Sequence, residues 1–207
     1  MTIAAVAPAF PGAASAHHSG IAPTRTVVAY GFWIFLLSDF VLFSGLFAAY
    51  AVLSGETAGG PSGAELFNLR NVFIETTCLL LSSYSCGLGA LAAERRNVGG
   101  FYLSALFTFG LGIAFLAIEV SEFAGMVNKG AGPSRSAFLS AFFTLVGTHG
   151  AHVATGLVWF TYMLAQVRVK GLRPRVLQRL LCFSLFWHAL DIVWIGVLTL
   201  VYLIGAR

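Results

Sequence analysis

Five long apolar runs divide the chain: Val27–Leu53, Phe67–Ala93, Gly99–Ala124, Phe138–Val167 and Arg179–Gly205. A bilayer core takes about 20 residues of α-helix, and each run reaches that length. Between them, "SGETAGGPSG" from Ser54 to Gly63 and "NKGAGPS" from Asn128 to Ser134 have turn composition. The pattern predicts an all-α membrane protein, a bundle of five transmembrane helices. There is no internal repeat, and an odd number of spans argues against the two equal inverted halves of many transporters.

Composition strengthens this picture. Hydrophobic residues make up 58% of the 207 positions and charged residues only 10%. An ordinary globular protein is about a quarter charged, and a soluble fold of this length has no interior large enough for so much apolar surface. The net charge is +4. The basic residues fall in short stretches between the apolar runs, which suits a membrane surface better than a nucleic-acid groove. One side collects Arg25, Arg95, Arg96, Arg168, Lys170, Arg173, Arg175 and Arg179; the other has Arg70, Lys129, Arg135 and Arg207. The richer side is expected to face the cytoplasm, which puts the N-terminus inside and the C-terminus in the periplasm. The "RVKGLRPRVLQR" loop dominates that count and reads as an anchor to anionic lipid headgroups.

Residues 1–26 read as a mobile N-terminal cytoplasmic tail and residues 27–207 as the five-helix domain. "ASA" in the tail looks like a signal-peptidase site. No Lys or Arg stands near the start, however, and Pro8 and Pro11 interrupt the apolar stretch, so the tail is expected to stay on the chain. His17 and His18 in the tail are not read as metal ligands. Cys78 and Cys86 are separated by roughly 12 Å along one helix, beyond the about 7 Å that a disulfide spans. They and Cys182 read as small apolar residues.

The candidate chemistry lies in groups that a bilayer disfavours. Glu56, Glu65 and Glu94 fall in loops, whereas Asp39, Glu75, Glu119, Glu122 and Asp191 fall within the apolar runs, as do His149, His152 and His188. Each costs about 3 kcal/mol on insertion scales, so each is expected to face the bundle interior, another such group or a partner. Asp39, the His149/His152 pair and the His188/Asp191 pair share a level near mid-membrane, and Glu119/Glu122 lie towards the outer end of the third run. The three pairs have i, i+3 spacing, so each shares a helix face. Gly147, Ala151 and Thr155 form a small-residue row that predicts a closely packed neighbour. Trp187, Asp191 and Trp194 fall on or near one face of the fifth run.

Three uses of these groups are open. A zinc or iron site needs three or four converging ligands; His149 and His152 supply two, and a third would be His188 or a carboxylate of the third run. No Glu-x-x-His motif of the di-iron bundles occurs. Two histidines on one face of one helix cannot flank a haem. A proton relay would use membrane acids and histidines, with Asp39 as the leading group. The remaining reading is polar glue that pins helices together.

Taken together, the motifs resemble subunit III of the haem–copper terminal oxidases. The stretches that carry this are "FWIFLLSDFVLFSGLFAAY" (Phe32 to Tyr50), "ETTCLLLSS" (Glu75 to Ser83), "FLAIEVSEF" (Phe115 to Phe123), "GPSRSAFLSAFFTLVGTHGAHVATGLVW" (Gly132 to Trp159) and "FWHALDIVWIGVLTLVYLIG" (Phe186 to Gly205). Five spans and the Ser38-Asp39 pair are similar to the bacterial bo-type ubiquinol oxidase branch. Cytochrome c oxidase subunit III, the alternative, usually has seven helices and a glutamate in the corresponding serine–acid motif. Ser121 departs from the pattern, standing where an aromatic is expected.

The resemblance implies an accessory subunit of the bacterial inner membrane with no haem, copper or other cofactor of its own. It implies packing against catalytic subunit I, which holds haems and copper, in a complex with subunits II and IV that oxidises ubiquinol and pumps protons. It further implies phospholipids around the bundle, no nucleic acid, and a role for Asp39 in proton supply or in the durability of the catalytic subunit. The residue count agrees: three intramembrane histidines on two runs do not furnish the redox centres of such an enzyme. A free-standing proton-coupled transporter using Asp39, Glu75 and Asp191 is the rival reading.

Overall fold

A computed structural model describes residues 24–61 and 63–205. The expected tail up to residue 23, with His17 and His18, and Ala206 and Arg207 at the other end lie outside the described residues. Among the described residues, five helices are long and apolar enough to cross a membrane. They are α1 (Thr24–Leu53), α3 (Leu69–Glu94), α4 (Val98–Asn128), α5 (Ala137–Lys170) and α6 (Pro174–Val197), with a one-turn α2 (Gly63–Leu66) between the first two. α6 runs on into a π-helical stretch, Leu198–Leu203.

The boundaries follow local chemistry. Asn68, Asn97 and Ser136 cap α3, α4 and α5, their side chains accepting from the backbone N–H groups of Arg70, Gly100 and Leu139. α5 ends at Gly171, whose φ of 68° and ψ of −174° belong to a region that only glycine visits freely. Pro174 then opens α6 at the position where a missing N–H costs least. Two expectations shift slightly. α1 begins inside the expected tail, at Thr24, and the expected loop acids Glu65 and Glu94 fall in α2 and at the last residue of α3. Both changes reflect apolar-run boundaries that ignore the capping turns.

Three-residue links between α3 and α4 and between α5 and α6 make these pairs antiparallel neighbours. α5 and α6 form the centre, with half or more of their most apolar windows buried; for α1 the figure is 11%. α1 lies at one side, against α5 and α6. Its outer face exposes Tyr30, Trp33, Ile34, Leu37 and Val41.

Helices that are apolar all round have no hydrophobic drive to choose an inner face. Small residues choose it here. A side chain at Gly156 of α5 would put its Cβ 2.9 Å from Trp187 Cζ3 and 3.0 Å from Phe186 Cε1 on α6. At Gly112 of α4 the Cβ would sit 3.0 Å from Leu157 and 3.2 Å from Trp187. The row expected to pack closely, Gly147, Ala151 and Thr155, does not: Ala151 and Thr155 are exposed, and Gly147 is half-buried beside Phe123. The close approaches of α5 come at Gly150 and Gly156, because the ring systems of α6 and the acids of α4 fill the space that only these two glycines leave.

Candidate functional site: polar groups between the spans

His149 is fully buried, ringed by Phe115 of α4 (5.7 Å between ring centres), Trp194 of α6 (5.1 Å) and Phe43 of α1 (6.3 Å). Its Nε2 lies 3.2 Å from the Leu190 carbonyl. A carbonyl only accepts, so Nε2 carries the proton and donates. Nδ1 is left without a partner. His152, half-buried, donates from Nδ1 to the Thr148 carbonyl of its own helix at 2.8 Å and lies against Phe43, 5.2 Å away. The two rings share a face, as the spacing predicts, yet each is committed to a different backbone carbonyl. Among the described residues, no group of three His, Cys, Asp or Glu side chains is placed to hold a metal ion. In this arrangement His149 touches residues of α1, α4 and α6.

A second polar line joins α6 to α3. Trp187 Nε1 donates to Ser82 Oγ at 3.1 Å, and Trp194 Nε1 to Thr76 Oγ1 at 3.0 Å. Each hydroxyl in turn donates to a carbonyl of its own helix, Ser82 to Leu79 and Thr76 to Val72, both at 2.8 Å. The hydroxyl proton therefore points back along α3 and a lone pair faces the indole. The seven-residue step from Trp187 to Trp194 is two helical turns, so both indoles meet the antiparallel α3 on one face. Asp191, between them, stands near Ser83 and His188. Cys86 and Cys182 are buried, Cys78 is half-buried, and all three are free thiols.

His188 takes a different place from the other two intramembrane histidines. It is exposed on the surface of the bundle rather than turned inward, with its Nε2 3.9 Å from the position a Cβ at Gly87 would take. Trp187 and Asp191, one turn apart, take the inward face. The residue after Trp187 is rotated by roughly 100° from it, which carries the imidazole to the rim above α3.

With Asp191 beside Ser83 and His188, the five intramembrane acids fall in three places. Glu75 of α3 and Glu119 and Glu122 of α4 come together, a grouping that their sequence spacing did not foretell. Glu75 and Glu119 are buried and Glu122 is half-buried, bonded to the Asn71 side chain. Gly150 is what admits Glu119: a Cβ there would lie 2.6 and 2.7 Å from its carboxyl oxygens. Tyr202 of the π-helical stretch is buried close to all three acids. Among the described residues, both oxygens of Glu75, Oε2 of Glu119 and Oε1 of Glu122 have no hydrogen-bond partner. Neither Asn71 nor Tyr202 was singled out from the sequence; an Asn one helical turn before an intramembrane Glu was the available signal for the first, and none existed for the second.

Asp39 stands apart from this trio. It lines a narrow crevice between α1 and α6 with Leu36, Phe40 and Phe43 on one side and Phe186, Ala189, Leu190 and Val193 on the other. The crevice holds about 10 Å³, the room of one water at most. Asp39 is half-buried, and its lining is otherwise apolar.

Comparison with known proteins decides what kind of bundle this is. The profile described as cytochrome c oxidase subunit III matches residues 12–206. The chain belongs to the cytochrome c oxidase subunit III family. Within this family it is 51% identical over 191 residues to the cytochrome bo(3) ubiquinol oxidase subunit 3 of Pseudomonas aeruginosa, covering 92% of this chain and 89% of that one. It is 42% identical over 192 residues to the protein of the same name from Buchnera aphidicola subsp. Acyrthosiphon pisum, covering 93% of each. It is 45% identical over 175 residues to the quinol oxidase subunit 3 of Bacillus subtilis, covering 84% of this chain and 86% of that one. The polar seams described above are thus the interior of a subunit III-type bundle.

Proposed function

We propose that this chain is the non-catalytic third subunit of a proton-translocating quinol:oxygen oxidoreductase of the bacterial inner membrane. The likeness over nine-tenths of both chains to a protein named as subunit 3 of a ubiquinol oxidase carries the reading. In this reading the chain packs on catalytic subunit I, which holds the haems and copper, beside subunits II and IV. Ubiquinol is the electron donor of the complex, and phospholipids surround the bundle. The N-terminus faces the cytoplasm and the C-terminus the periplasm, following the excess of Lys and Arg on one side.

Geometry supports a supporting rather than a redox role. His149, Trp187 and Trp194 each hydrogen-bond from one helix to another. The aromatic and aliphatic outer face of α1, the least enclosed span, offers surface for lipid or a partner subunit. Asp39, alone in an apolar crevice, is the residue to which proton supply or durability of the catalytic subunit is assigned.

The deciding experiment purifies a tagged copy from native membranes in mild detergent, then records an absorbance spectrum and quinol-driven oxygen uptake. Haem absorbance with a large co-purifying subunit and quinol oxidation is expected. A colourless chain that purifies alone would refute the reading. In the same preparation, Asp39→Asn is expected to leave assembly intact and to slow turnover or shorten the working life of the oxidase. Unchanged turnover and lifetime would make Asp39 a packing residue only.

A further inference from the structure

Among the described spans, α6 with its π-helical continuation is the most enclosed, yet one stripe of it stays open. Trp187 and Trp194 face α3, while Val193 and Gly196 face α1. At about 100° per residue, Leu181, Leu185, His188, Ile192 and Ile195 fall between those two faces. The two leucines are half-buried and the other three side chains are exposed. Successive members are four, three, four and three residues apart, over about 21 Å of helix. A second helix packs along a stripe of that period at a shallow left-handed crossing.

Apolar spacing alone would suit lipid equally well. His188 breaks that symmetry. It lies 14 residues after Pro174 and 15 before Leu203, the ends of the 30-residue span, and so at mid-membrane. Hydrocarbon at that depth offers an imidazole no hydrogen bond. Two further polar groups stand beside it. Asp191 lies near both His188 and Ser83. Ser83 is 6% exposed, and neither its Oγ nor Asp191 Oδ1 has a hydrogen-bond partner among the described residues. Three polar side chains on one rim of α3 and α6 thus lack a complement, and two of the unpaired atoms are oxygens that can accept.

We infer that this stripe seats a transmembrane helix of another chain in the complex. That helix is apolar along its own seam and carries, at mid-membrane, an amide or hydroxyl that donates to Asp191 and pairs with His188. A lipid tail fits the apolar positions but supplies no donor, and headgroups lie about 15 Å away at the bilayer surface. A second copy of this chain, related by a two-fold axis along the membrane normal, would bring Asp191 towards Asp191, acceptor against acceptor. A single polar position within an apolar seam also fixes register, as a buried Asn does in a coiled coil. The inference rests on the reading of this chain as one subunit of a larger assembly; it adds the face, the depth and the chemistry of one contact.

The test places a photoreactive p-benzoylphenylalanine at Ile192, or at Ile113, which is exposed midway along α4. Native membranes holding the tagged complex are irradiated, the complex is purified, and the adducts are identified by mass spectrometry. The Ile192 probe is expected to join a membrane-spanning peptide of a co-purifying chain, within one turn of an amide or hydroxyl side chain. The Ile113 probe is expected not to form that adduct. Without irradiation, His188→Leu is expected to weaken retention of the same chain in detergent about threefold, the average for one interhelical polar contact. His188→Gln, which keeps a donor and an acceptor, is expected to match the parent. Phospholipid adducts alone at Ile192, with a haem-bearing subunit still co-purifying, would overturn the interface and leave the subunit reading standing. An adduct to a second copy of this chain, or the same adduct in equal yield from Ile113, would also overturn it. Unchanged retention in His188→Leu would remove the polar match on which the inference stands. A colourless chain that purifies alone would overturn both readings.

Discussion

Trp187 is wedged between two glycines, and that wedge can be tested by adding one methyl group. In Gly156→Ala the new Cβ would fall 2.9 Å from Trp187 Cζ3, 3.0 Å from Phe186 Cε1 and 3.3 Å from Trp187 Cε3. The indole cannot retreat: its far edge already lies within 3.2 Å of where a Cβ at Gly112 would be, and its Nε1 is bonded to Ser82. Overpacking of this kind costs about 1–3 kcal/mol, while exchanging Gly for Ala within a helix returns up to about 1 kcal/mol. Taking the middle of the first range and the full return, the net is a loss of about 1 kcal/mol, a fall of roughly 2–4 °C in melting temperature at this chain length. Trp187→Phe removes the atoms that clash but loses the bond to Ser82 and leaves a void, at about 1–3 kcal/mol. In the double variant the methyl enters that void, so the two costs are expected to fall short of their sum by about 1 kcal/mol. The assay heats the tagged complex in mild detergent and measures the fraction of subunit that remains monodisperse on size-exclusion chromatography. Additive costs, or a Gly156→Ala form as stable as the parent, would refute the wedge.

Three further outcomes follow from the seams and the topology. Ser82→Ala leaves the buried Trp187 N–H without an acceptor and should cost about 1–3 kcal/mol; a melting temperature equal to the parent's would show that the bond contributes nothing. Thr76→Val keeps the shape but removes the acceptor for Trp194, and should cost a similar amount in the same assay, with no change counting against the α3–α6 seam. Alkaline phosphatase fused after Arg207 should be active, and inactive when fused before Met1; the reverse pattern would invert the orientation read from the Lys and Arg distribution.

The five spans were legible because each is a run of about 20 or more apolar residues, a property of composition and length alone. So was the exclusion of a soluble fold. Pairings along one helix were legible too: Trp187, Asp191 and Trp194 do face α3 together, since 3.6 residues per turn places them on one side. The motifs from Phe32 to Gly205 carried the family resemblance, which the match over residues 12–206 establishes.

What only the tertiary structure decided is which face of each helix looks inward. On a helix that is apolar all round, periodicity carries no inside–outside signal. That is why Gly150 and Gly156, not the Gly147, Ala151 and Thr155 row, mark the close contacts, and why His188 lies outside. It is also why the meeting of Glu75 with Glu119 and Glu122 came only with the fold: these residues stand on different helices, and the space between helices is set by ring and glycine packing, which has no period along the chain.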